Sequence, residues 1–290
     1  MTEQRDMQKA SSRHYSIEYF PPRTEEGEAK LDLAHKRLSS LGPEFFSVTY
    51  GAGGTTKKGT RKLVLKYTEA GSVVAPHLSF GGASDNEVLK LLNTYKDAGV
   101  SKLVALRGDA PSGFGGKMHH RYANELVEFV RQETGDHFEI YVACYPEVHP
   151  DAASYAEDVA YFKQKVDAGA NAAITQYFYN ADAYFRFVDY CQSQGIDIPI
   201  IPGIMPISNF SNLARFSGKC GAEIPQWLSR RLQGFSEDGG ADMRKFGLDV
   251  VTELCERLLD GGAPGLHFYS MNTSKTVSQI WNNLSLSEPA

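Results

Sequence analysis

Glu18 interrupts an otherwise apolar run, Ser16-Ile-Glu-Tyr-Phe20. A carboxylate in such a run is either paired with an arginine or lysine in the core or kept for chemistry, because buried ionisable groups are rare otherwise. Desolvation among aromatic neighbours raises a carboxyl pKa, so Glu18 is expected to stay protonated near neutrality and to donate a proton. Asp109, directly after Gly108, is the second acid of interest. It reads either as a helix N-cap or as a site group, beside a glycine that allows close approach to the backbone. His77, after Pro76, and His149, in Pro146-Glu-Val-His-Pro150, read either as satisfied histidines or as polar groups of a site. Phe210 and Phe216 read as core residues of a helix unless a planar ligand lies beside them. The histidines form no H-E-x-x-H pattern, and Cys144, Cys191, Cys220 and Cys255 form no C-x-x-C pair. Neither a metal site nor a disulfide framework is expected.

These side chains need elements to hold them. Short β-branched or aromatic runs recur roughly every thirty residues, the length of one βα unit. They fall at 15–20, 45–50, 73–79, 102–106, 139–145, 172–178, 198–204 and 265–270. Helical segments lie between them: Ser84-Asp-Asn-Glu87 reads as a capping box, and Gly99 and Gly169 as helix stops. Val277, Ile280, Trp281 and Leu284 share one face of a last helix. Eight alternating units predict an α/β fold, a (β/α)8 TIM barrel with extra helices between strands seven and eight, in the stretch 208–262. The predicted organisation is a polar N-terminal tail over 1–14 and a single catalytic domain over 15–287. No G-x-G-x-x-G follows the first strand, and the glycine-rich runs at 51–57 and 112–117 do not match a P-loop, so they read as mouth loops.

In a barrel the functional groups sit at the C-terminal ends of the strands. Those ends carry Glu18, Thr49, His77, Arg107, Gly108, Asp109, Tyr145, Glu147, His149, Thr175, Gln176, Tyr269 and Asn272. Convergent polar groups at one mouth suit a small-molecule site. A net charge of -5 and a pI near 5.9 give no footprint for nucleic acid. The first residues lack the apolar segment of a signal peptide, and no apolar run is long enough to span a bilayer, so a cytoplasmic location is expected.

Read together, several strings resemble the methylenetetrahydrofolate reductase family: Glu18-Tyr-Phe-Pro-Pro-Arg23, Ser47-Val-Thr-Tyr-Gly51, Ala75-Pro-His77, Ala105-Leu-Arg-Gly-Asp109, Tyr145-Pro-Glu-Val-His-Pro150, Ile174-Thr-Gln176, Pro202-Gly-Ile204 and His267-Phe-Tyr269. They occur in order across nearly the whole chain. The resemblance, to the bacterial type with the catalytic barrel alone, implies an FAD-dependent reduction of 5,10-methylenetetrahydrofolate to 5-methyltetrahydrofolate by NADH or NADPH. It implies ping-pong hydride transfer through flavin N5. Under it Glu18 is the general acid toward folate N10, and Asp109 contacts pterin near the flavin. Gln176, Phe216, Asn212 and Tyr269 would bind substrate. Thr49, His77, Arg107, Gly108, Asp109, Tyr122, Ala123, Tyr145, His149, Ala152, Asp158 and Lys165 would bind the cofactor. A homo-oligomer with no nucleic-acid or membrane partner is implied as well. Thr273 stands where many relatives have arginine, with Lys275 nearby, and Asn212 where some have glutamine. Other readings of the same barrel are a flavin-free reductase, a reductase of another substrate, or a non-catalytic folate-binding protein.

Overall fold

The computed structural model describes residues 13–50, 57–107, 122–235 and 240–286. Strands and helices alternate from the start: β1 (His14–Tyr19), α1 (Glu25–Ser39), β2 (Phe45–Val48), α2 (Lys57–Glu69), β3 (Val74–Leu78), α3 (Asp85–Asp97), β4 (Lys102–Ala105), α4 (Ala123–Thr134), β5 (Glu139–Cys144), α5 (Tyr155–Asp167), β6 (Ala172–Thr175) and α6 (Ala181–Ser193). Then come β7 (Ile200–Ile201), β8 (Gly203–Ile204), α7 (Phe210–Cys220), α8 (Gln226–Gln233), α9 (Ala241–Asp260), β9 (Gly265–Tyr269) and α10 (Lys275–Asn283). Among the described residues every strand pairing is parallel, in the order β7-β6-β5-β4-β3-β2-β1-β9-β8.

The expected seventh strand is split in two. Pro202 has no N–H to give a ladder, so Ile200–Ile201 pair with β6 while Gly203–Ile204 pair with β9. The Pro202 carbonyl still accepts from His267 N at 2.9 Å. One continuous stave therefore carries both edges of the sheet, and the eight-stave barrel closes through it. The extra helices expected before the last strand are α7, α8 and α9.

Local signals explain the helix limits. Ser84 and Glu87 form the reciprocal capping box at the start of α3. Past the ends of α3 and α5, Gly99 and Gly169 take φ of +83° and +110°, a region that an L side chain disfavours. On α10, Val277, Ile280 and Trp281 are buried, and Leu284 packs against the same core. Such side chains stabilise their helix by about 1.5–3 kcal/mol each when fully buried.

The barrel interior holds Phe45, Val104, Tyr141, Ile174 and Ile201 as one apolar cluster. Its N-terminal end is plugged by charge. Lys102 Nζ donates to Glu44 at 2.8 Å and also to Glu139, while His14 Nδ1 lies 2.5 Å from Glu44. The polar strand ends opposite are thus free to form a site. No described helix is long and apolar enough to cross a membrane.

Candidate active site

Glu18 occupies the C-terminal half of β1, paired in register with Ser47 of β2 and Tyr269 of β9. Its side chain is 17% exposed, and it lines a cavity of about 400 Å³. Neither an arginine nor a lysine pairs with it among the described residues. Instead two imidazoles approach the same oxygen, Oε2: His77 Nε2 at 3.2 Å and His267 Nε2 at 3.6 Å. Both nitrogens are buried and make no hydrogen bond among the described residues.

This surrounding overturns the expected protonation of Glu18. Burial pushes its pKa up, but the charge of His77 and the imidazole contacts outweigh burial and hold it down at about 2. The resting carboxylate is ionised at neutral pH. Burial lowers the pKa of His267, and the neighbouring Glu18 opposes that effect only in part.

The end of β9 anchors the end of β1. Ser270 Oγ donates to the Glu18 carbonyl at 2.6 Å. The Asn272 amide pairs with the Phe20 backbone in both directions: Phe20 N donates to Oδ1 at 3.0 Å, and Nδ2 donates to the Phe20 carbonyl at 2.8 Å. Asn272 does this at φ +57°, where asparagine is better tolerated than most residues.

The cavity wall also includes His77, Tyr145, Gln176, Phe216 and Tyr269, each singled out by sequence. Tyr269 Oη donates to the Thr175 carbonyl at 2.7 Å, which fixes its ring. Gly203 is required behind it: a Cβ there would meet Thr175 O at 2.2 Å and Tyr269 Cε2 at 2.7 Å. Phe216 projects from α7 and is 37% exposed. It is therefore a mouth residue and not a core one. Asn212, on the same helix, is exposed, holds Arg215 through its Oδ1, and does not line the cavity.

The expected cofactor residues do not form a single cluster. Around the end of β5, Tyr145 packs edge-on against His149 at 4.6 Å, and His149 N donates to Asp158 at 2.9 Å. The Ala152 N–H donates to the His149 carbonyl, Lys165 Nζ to the Ala143 carbonyl, and Arg107 pairs with Asp151. Burial lowers the Lys165 pKa and raises that of Asp158. Thr49 follows β2 and accepts Thr60 Oγ1 on its carbonyl. Tyr122 and Ala123 stand apart as the N-cap and first residue of α4, and neither lines the cavity. Gly108 and Asp109 lie outside the described residues, as do the glycine-rich runs over 51–56 and 112–117. Thr273 is exposed and donates to the Ser270 carbonyl, while Lys275 begins α10.

Sequence reasoning overlooked Ser16 and His267. Both are fully buried, and Ser16 Oγ lies 2.7 Å from His267 Nδ1. The available signal was a histidine within the apolar run of the last strand, in phase with Tyr269. Among the described residues no cluster of His, Cys, Asp and Glu is arranged to hold a metal ion.

A profile of the methylenetetrahydrofolate reductase family matches residues 3–285. The chain belongs to that family. Among its relatives is 5,10-methylenetetrahydrofolate reductase of Escherichia coli strain K12, 41% identical over 271 residues, which cover 93% of this chain and 90% of the relative. Methylenetetrahydrofolate reductase (NADH) 1 of Zea mays is 38% identical over 291 residues, covering 94% of this chain and 48% of the maize protein. A solved structure from Clostridium thermocellum, of an uncharacterized protein described as binding two copies of 5-methyl-5,6,7,8-tetrahydrofolic acid, superposes with a TM-score of 0.66 at 16% identity. It covers 99% of this chain and 98% of its own, and the likeness concerns the fold. Within the methylenetetrahydrofolate reductase family, then, this barrel presents one buried acid between two histidines at the wall of an aromatic cavity.

Proposed function

We propose that the chain reduces 5,10-methylenetetrahydrofolate to 5-methyltetrahydrofolate with NADH or NADPH, using FAD. The observation that carries the reading is Glu18 at the cavity wall, flanked by His77 and His267, in a chain of this family.

The residues present suit a flavin. His77 Nε2 is a buried polar atom without a hydrogen-bond partner among the described residues, and it borders a cavity lined by Leu106 and Tyr145. Thr49, His77, Arg107, Tyr145, His149, Ala152, Asp158 and Lys165 would hold FAD, together with Gly108 and Asp109 and, at the edge, Tyr122 and Ala123. A bound flavin supplies the hydride relay between nicotinamide and folate. Phe216 offers an aromatic face to whichever planar substrate enters, and Gln176 a polar edge; Asn212 and Tyr269 complete the substrate side.

Glu18 supplies the proton that opens the folate five-membered ring at N10. Planar ligands filling the cavity strip the remaining water from its carboxylate. Desolvation favours the neutral form of a carboxyl group, so this moves Glu18 toward the protonated form needed for donation. The reading extends to a single catalytic domain over 15–287, to a cytoplasmic location and to a homo-oligomer.

The decisive experiment is anaerobic mixing in two steps. NADH should bleach the bound flavin, and methylenetetrahydrofolate should restore its colour. Glu18→Gln should keep the first step and slow the second by about 10²–10⁴-fold. Purified protein that stays colourless after incubation with FAD would refute the cofactor assignment, and an unchanged second step in the variant would refute the acid.

A further inference from the structure

Ser16, His267 and Glu18 form a line of polar groups across the β1–β9 seam. Ser16 and His267 are register partners, and Glu18 is partnered with Tyr269 two positions on. Ser16 Oγ meets the Nδ1 of His267 at 2.7 Å, and the Nε2 on the far side of the ring faces Glu18 Oε2 at 3.6 Å. Ser16 and His267 are wholly buried, so water reaches neither end of the imidazole. A neutral imidazole has one donor and one acceptor nitrogen, and what each meets decides the tautomer. A carboxylate favours N–H at Nε2, and a serine hydroxyl is able to donate to Nδ1. The opposite tautomer would set an Nε2 lone pair against an anionic oxygen.

We propose that His267, held as the Nε2–H tautomer by the Ser16 hydroxyl, is a positioning residue for Glu18. It ties Oε2 and so leaves Oε1 as the oxygen that carries the proton into the cavity. It also stabilises the carboxylate formed when that proton leaves, which makes Glu18 a stronger acid. At 3.6 Å the contact is electrostatic and not yet a hydrogen bond; contacts of this kind tighten in the reactive complex. The titratable groups facing Glu18 among the described residues are His77 from β3 and His267 and Tyr269 from β9, with Tyr145, just past β5, facing Tyr269. None of them duplicates the link to Ser16.

The catalytic consequence rests on the proposed folate reaction, but the tautomer does not, so the two are tested separately. In protein labelled with ¹⁵N-histidine, the ring that disappears in His267→Leu identifies His267. Its wild-type spectrum should show a protonated Nε2 and an unprotonated Nδ1, and Ser16→Ala should mix in the other tautomer. An Nδ1–H ring in the wild type, or a spectrum unmoved by Ser16→Ala, overturns the proposal whatever the protein's activity. In the methylenetetrahydrofolate half-reaction, His267→Leu should move the pH above which the rate falls upward by about one unit. His267→Gln, which keeps an N–H donor, should move it less, and reduction by NADH should be unchanged in both. A purely structural role would lower both half-reactions and leave the pH profile in place, which also overturns the proposal. If His267→Leu does not fold, Ser16→Ala carries both measurements, with His267 then identified through His267→Gln.

Discussion

His77 Nε2 lies 3.2 Å from Glu18 Oε2, and β3 reaches that point from two staves away, across β2. With His267 arriving from β9 on the other side, the acid is bracketed by strands on both flanks of its own.

A linkage between pH and stability follows. The Glu18 pKa is about 2 in the folded chain against an ordinary 4.5, so its contribution is present above the ordinary value and is lost as pH falls toward the folded one. Urea midpoints of the wild type and Glu18→Gln should differ clearly near pH 5 and converge between roughly pH 4.5 and 2. A gap that ignores pH would show that the imidazoles do not stabilise the carboxylate.

At the opposite end of the barrel the sign reverses. Glu44 is the main influence raising the His14 pKa above 6.5. The stability it adds is fully present below that value and is lost as pH rises through the folded pKa. His14→Ala should therefore cost more stability at pH 6 than at pH 9, read from thermal midpoints in the same buffer series. Lys102→Met, which removes the shared cation, should cost about 1–3 kcal/mol, discounted for the partial exposure of Glu44 and Glu139.

The Asn272 amide should matter through Phe20. Asn272→Ala removes both bonds to the Phe20 backbone and places alanine at a positive φ. A loss of about 1–3 kcal/mol and a fall in kcat are expected. Asn272→Gly relieves the backbone conformation but not the lost bonds, so it should recover part of the stability and little of the rate. Full recovery by glycine would mean that the amide does not position β1.

Gly203→Ala should be strongly damaging. The added carbon has no room between Thr175 and Tyr269, and overpacking of this kind costs about 3 kcal/mol or more. A thermal midpoint within two degrees of wild type, an order-of-magnitude threshold for a shift this size, would contradict the close approach.

Much of this was legible in the sequence because βα rhythm is local. The strands around Glu18, His77, Tyr145 and Tyr269 follow from runs of a few residues, and so does the capping box at Ser84. What failed was non-local. Pro202 splits a strand because it sits where two different neighbours compete for one stave. Glu18 was expected to be protonated because its sequence neighbours are aromatic, yet its charge is set by histidines on other strands. Ser16 and His267, 251 residues apart in sequence, meet only after the barrel closes. Asn212 and Tyr122 come from the resemblance alone, and neither is among the residues that line the cavity.

The Asn272–Phe20 clasp has a consequence for biosynthesis. Of the described strands, β1 is made first and carries the acid, and β9 is made last and carries His267 and the residues that lead to the clasp. Until β9 and Asn272 emerge, the nascent chain has neither the clasp nor the second imidazole. The site around Glu18 is thus completed only after β9 has been made and has closed against β1.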